Sequence, residues 1–146
     1  MSGCAIRRIA VPVLLTAACG SGPATTRRIA GCYDLAVGPY APSVGADSVY
    51  FAPPRHVELT AEPAADSLYR IALPALVHGG APGSWRARGD SIAMIWTDGT
   101  TGVAIAGIVR HDSILGIARP VSDVVVPDAM RATAPVTGWR VACAKR

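Results

Sequence analysis

The chain has 146 residues, 51% of them apolar and 16% charged, which excludes disorder, because disordered chains are poor in apolar and rich in charged side chains. The length leaves room for one domain, over residues 28–146, and not for two. The formal net charge is +4, but the basic residues are scattered along the chain, adjacent at most in pairs, without the clustering and interleaved aromatics of a nucleic-acid surface.

At the amino terminus Arg7 and Arg8 precede ten uncharged residues, Ile9–Ala18, too few for a bilayer-spanning helix of about 20 residues. A positive segment before a short apolar one is a signal-peptide pattern, so residues 1–18 read as a removable signal. Without Arg7 and Arg8 the 14 basic residues fall to 12 against 10 acidic, a net +2. The stretch Leu15-Thr16-Ala17-Ala18-Cys19 resembles the lipobox of bacterial lipoproteins, in which two small residues precede the modified Cys; Thr16 departs from it, standing where Leu is usual. The resemblance implies lipidation of Cys19 by more than one acyl chain, which is what stable anchoring requires. It also implies a cell-envelope location with the membrane as partner, and Gly20, where an Asp often marks inner-membrane retention, favours the outer membrane. The other reading is a secreted or periplasmic protein cut at the same alanines. Residues 19–27 read as the lipidated Cys and a flexible tether.

Beyond the tether the pattern is all-β. Strands are predicted at Ile29–Val37, Val49–Phe51, His56–Thr60 and Ser67–Leu73, and the plainest evidence runs from Trp85 to Arg119. There Ile92, Met94 and Trp96 alternate with small or polar residues, Asp98-Gly99 gives a hairpin signal, and Val103, Ile105 and Val109 alternate on the return. A last strand is predicted at Thr137–Ala144. Asp-Ser-aliphatic recurs at Asp47, Asp66, Asp90 and Asp112, each time after a turn-like stretch and before an apolar run. Its spacing of about two strands plus two turns predicts an antiparallel up-and-down meander of about 7–9 strands, closed as a small barrel or, alternatively, packed as a β-sandwich.

Of the four cysteines, Cys4 leaves with the signal and Cys19 takes lipid, so Cys32 and Cys143 are expected to form a disulfide in an oxidising compartment. In a barrel the first and last strands are neighbours, which brings the two together. Alternation sets Cys32 on the face opposite Tyr33 and Cys143 on the face of Trp139 and Val141, so the bridge is expected to need twisting of the strand ends.

Gly31-Cys32-Tyr33 is similar to the Gly-x-Trp that opens lipocalins and avidin-like barrels, with Tyr in place of Trp, and Arg140 stands on the last strand, where lipocalins often set an Arg against that aromatic. The resemblance implies a calycin-like barrel. The chain also resembles small exported bacterial proteins with a Gly-Cys-Tyr first strand and a Cys-bearing last strand, a likeness that implies no activity.

No catalytic motif stands out. His56 and Glu58 share a strand face, yet His78 and His111 read as loop histidines, so no metal and no cofactor is expected. Tyr33, Trp85 and Trp96 are placed to line a barrel interior that holds a small apolar ligand, or else to fill it, since about eight strands leave just enough room for side chains. The connection Pro120–Val136, with Val124 and Val126, is unusually apolar and reads as a lid over the barrel mouth, an extra edge strand or a partner-binding patch. The expectation is thus a non-enzymatic, envelope-anchored lipoprotein that binds a small apolar ligand, the alternative being a filled barrel with a structural role or an envelope protein as partner.

Overall fold

Alternating side chains need two environments, and a closed sheet supplies them without leaving an edge. In the computed structural model, which describes residues 23–42, 53–65, 67–72, 83–97, 100–122 and 131–144, a short helix leads into eight strands. These are α1 (Pro23–Ile29), β1 (Gly31–Val37), β2 (His56–Ala65), β3 (Leu68–Ala72), β4 (Ser84–Arg88), β5 (Ser91–Thr97), β6 (Thr101–Arg110), β7 (Ser113–Ser122) and β8 (Ala134–Val141). Each strand pairs antiparallel with the next, and β8 pairs with β1, so the meander closes into a barrel and the sandwich alternative falls away.

The alternation read from the sequence is the inside–outside alternation of the wall. Ile92, Met94 and Trp96 of β5 are buried, and Met94 and Trp96 stand opposite Ile105 and Val103 of β6. Tyr33, Val57, Leu59, Ile71, Trp85, Ile114 and Val136 complete an interior drawn from every strand.

The two ends differ. The connections β2–β3, β4–β5 and β6–β7 are tight and lie at one end, where Ser67, Gly89 and His111 take positive φ of 60°, 59° and 54°. Ser67, Ser91 and Ser113 of the Asp-Ser repeat stand at these three turns; Asp47 lies outside the described residues. The other four connections are at the opposite end, and three of them are long. We call the first end closed, because α1 lies there.

Helix α1 corrects the tether. Pro23 pre-sets φ for the first turn and Arg27 and Arg28 suit the last one, but the helix is held by burial: Ile29 and Thr26 are inaccessible to solvent. Residues 23–27 of the segment expected to be a tether are thus helical, and residues 19–22 lie outside the described residues. Strand bounds change as well. Ile29 belongs to the helix, and β8 begins at Ala134 and ends at Val141, not at Ala144. Because β7 continues to Ser122, Val121 and Val136 are strand residues and the connection between β7 and β8 narrows to 123–133. The strand expected at Val49–Phe51 lies outside the described residues.

Candidate functional site

At the closed end the guanidinium of Arg140 gathers the chain. It points inward from β8 and donates to the carbonyls of Ala30 (2.9 Å), Arg28 (2.9 Å) and Ile29 (3.4 Å), and to the hydroxyl of Tyr33 (2.7 Å). The Tyr33 hydroxyl in turn donates to the Ile29 carbonyl at 2.8 Å, and the guanidinium carbon sits 5.0 Å from the ring centroid. The last carbonyls of a helix have no partner within it, and Arg140 supplies one with a favourable charge. Arg140 Nε lies 3.2 Å from Asp112 Oδ1, near enough for an ion pair but not aligned as a hydrogen bond. Burial pushes the Tyr33 phenol above its ordinary pKa of 10.0; Arg140 and Arg28 oppose that shift and Asp112 adds to it.

Gly31 makes this arrangement possible. A Cβ there would lie 2.5 Å from Arg140 Nη1, and φ is +147°, so both the backbone and the guanidinium require glycine. The first-strand Gly-Cys-Tyr thus has a physical meaning: Gly admits the arginine, Tyr receives it, and Cys faces the other way.

That Cys makes the expected bridge. Cys32 and Cys143 are disulfide-bonded with Cα atoms 5.3 Å apart. The twisting thought necessary is not needed. Trp139 is 48% exposed and faces outward, while Arg140 faces Tyr33, so Cys143 follows Val141 on the same outer side as Cys32, whose register partner is Val141. Such a bridge fits an oxidising compartment outside the cytoplasm.

Of the residues expected to line a ligand space, Tyr33 lies under α1 and Trp85 at mid-barrel. Trp85 is fully buried, donates its indole N–H to the Thr60 carbonyl at 2.9 Å and packs against Tyr69 with ring centroids 5.4 Å apart. Trp96, 7% exposed, stands towards the open end, and its buried indole nitrogen has no hydrogen-bond partner among the described residues. The indole edge lies against Gly83, where a Cβ would come within 2.6 Å of it. Val124 and Val126 lie outside the described residues, as does Cys19. The three aromatics therefore occupy different depths of one interior and do not converge on a common point.

Among the described residues no group of His, Cys, Asp and Glu could hold a metal ion. His56, paired with Glu58 in the sequence reading, instead meets Asp34 across the β1–β2 pair, Nδ1 to Oδ1 at 2.8 Å.

Sequence reasoning missed the outer wall. An open groove of about 520 Å³ runs over β4–β7, floored by Ala93, Ala104 and Ala106 and edged by Ile95, Ile117 and Arg119. The signal was present, since these are the positions between the buried ones, but alternation was read for its inward half alone.

Compared with protein-family models, curated proteins and solved structures, the chain matches none.

Proposed function

We propose that this chain is an exported, lipid-anchored, calycin-like barrel without enzymatic activity, whose interior is filled by its own side chains and which serves the envelope through its outer surface as a structural or interaction protein. One observation carries the reading: the polar atoms of Tyr33 and Trp85 are already engaged, by Arg140 with the Ile29 carbonyl and by the Thr60 carbonyl, inside a continuous apolar core. An interior whose donors are spent on the fold has little left to orient a ligand. The calycin likeness is supported by Arg140, whose guanidinium lies against the first-strand aromatic Tyr33, the placement that the resemblance led one to expect.

A second reading, a small apolar ligand held at the open end, is favoured by the buried N–H of Trp96, which has no acceptor among the described residues, because a buried donor without an acceptor is costly and a ligand carbonyl would supply one. Thermal melts with a panel of fatty acids and similar apolar compounds separate the two. The filled barrel expects no shift. A shift present in the wild type and lost in Trp96→Phe transfers the function to the mouth. The anchor is tested apart from either, by metabolic labelling with a fatty-acid analogue: the wild type takes label and Cys19→Ser does not, whereas label retained in the variant refutes the assignment.

A further inference from the structure

The strands β4, β5, β6 and β7 contain no Asp or Glu at any position. Their outward side chains are apolar, small or arginine: Ile95, Leu115 and Ile117 are exposed, and Arg86, Arg88, Arg110 and Arg119 stand around them. None of these four arginines pairs with a described carboxylate. Among the described residues the acids beside this wall, Asp90 and Asp112 in the closed-end turns, are taken by Arg28 and Arg140. On the opposite wall the composition reverses, with Asp34 on β1 and Glu58 and Glu62 on β2. The barrel therefore has one wall that is apolar and purely cationic and one that carries the carboxylates.

We infer that the outer wall of β4–β7 rests on an anionic lipid surface, an inference that builds on the outer-surface reading above. An apolar patch ringed by arginines suits a membrane interface, where apolar side chains enter the acyl boundary and the guanidinium groups meet phosphates. The arginines argue against a second copy as occupant, because a two-fold contact would set this cationic wall against itself. The anchor supports the same geometry. Cys19 is four residues from the start of α1 at Pro23, so the closed end stays within about 14 Å of the acyl chains. Trp139, 48% exposed on β8, stands opposite Ser113 at the closed-end rim of this wall, and Trp is enriched at membrane interfaces.

The test uses residues 20–146, which contain every described element and lack both signal and lipid, with vesicles of phosphatidylcholine alone or mixed with phosphatidylglycerol. The emission of Trp139 reports contact, since Trp85 and Trp96 are buried. Binding and a blue shift are expected with the anionic vesicles only, weakening as salt is raised. Arg86→Gln with Arg119→Gln should weaken binding about 30-fold. Arg70→Gln, which removes one charge from β3 where Glu62 already pairs it, should change binding little, against about 5-fold for Arg86→Gln alone. Equal binding to both vesicle types, or an equal loss in Arg70→Gln, overturns the inference and leaves the filled-barrel reading standing. A dimer in solution that Ile117→Ser dissociates assigns the wall to a second copy and likewise overturns it. A melt shift at the mouth, by contrast, removes the filled-barrel reading and leaves the wall untouched.

Discussion

The two ends of the barrel hold opposite solutions to one problem, that of closing a sheet around its core. At the closed end the turns are tight, a helix covers the opening, and the helix carbonyls are met by Arg140. At the open end the connections lengthen, and a buried indole N–H has no partner among the described residues. The closed end is fastened by a side-chain hub of polar groups that satisfy one another, whereas backbone bonds, Gly38 N–H to the Pro135 carbonyl and Ala41 with Thr133, tie described residues at the open end. Substitutions should thus cost most where they undo a hydrogen-bond hub and least where no polar partner is lost.

The disulfide should give the largest effect. Cys32 and Cys143 are 111 residues apart, and replacing both by Ser should cost about 4–5 kcal/mol in the chain-entropy model. Chemical denaturation of oxidised and variant protein measures it, and a loss under about 1 kcal/mol would break the idea that the seam is fastened covalently at this end. Next comes Arg140→Leu, which strands the Arg28 and Ala30 carbonyls; we expect about 3–4 kcal/mol, with little recovery in Arg140→Lys because an ammonium cannot reproduce the planar fork. Exposed Arg88 serves as the control, since Arg88→Leu should stay within about 0.5 kcal/mol.

The sharpest comparison of the ends uses one substitution twice. Trp85→Phe removes volume and leaves the Thr60 carbonyl without its donor; Trp96→Phe removes the same volume together with a donor that has no acceptor. Melts should show the first to be worse by about 1–2 kcal/mol, and equal losses would mean that Trp96 finds a partner in solution. The smallest effect is on pH dependence. Burial raises the Tyr33 pKa, so above pH 10.0 the unfolded chain releases its phenolic proton before the folded one does. Stability from this group is complete below that pH and is lost as the pH rises through the folded value. Tyr33→Phe should flatten this part of the alkaline decline, and an unchanged decline would place its cause elsewhere.

How much of this was legible depended on what carries the information. β5 and β6 were read to the residue because their alternation is strict, and the Asp-Ser repeat gave the meander because its turns recur at one end. The first-strand Gly-Cys-Tyr and Arg140 pointed to each other through a resemblance, and the contact is present. α1 was not legible: seven residues without apolar periodicity do not announce a helix, and this one is stabilised by burying Thr26 and Ile29 against strands distant in sequence. The sides of Trp139 and Arg140 were not drawn from the sequence for a different reason. Alternation tells which residues share a face, but not which face is inside, and burying the tryptophan was the ordinary choice. The arginine took the inside because three backbone carbonyls and a phenol awaited it there.

The seam between β1 and β8 also sets the order in which the molecule can be made. β1 finds one neighbour in β2 as soon as that strand exists, yet its other edge is completed only by residues Val136–Val141, almost the last of the chain. Until they emerge, the nascent sheet is an open ribbon with two bare edges, the Arg140 hub has no arginine, and Cys32 lacks Cys143. An open ribbon with bare edges invites pairing with other chains. Closure of the barrel thus waits for β8, and a chain that stops between β2 and β8 lacks the strand that covers the free edge of β1.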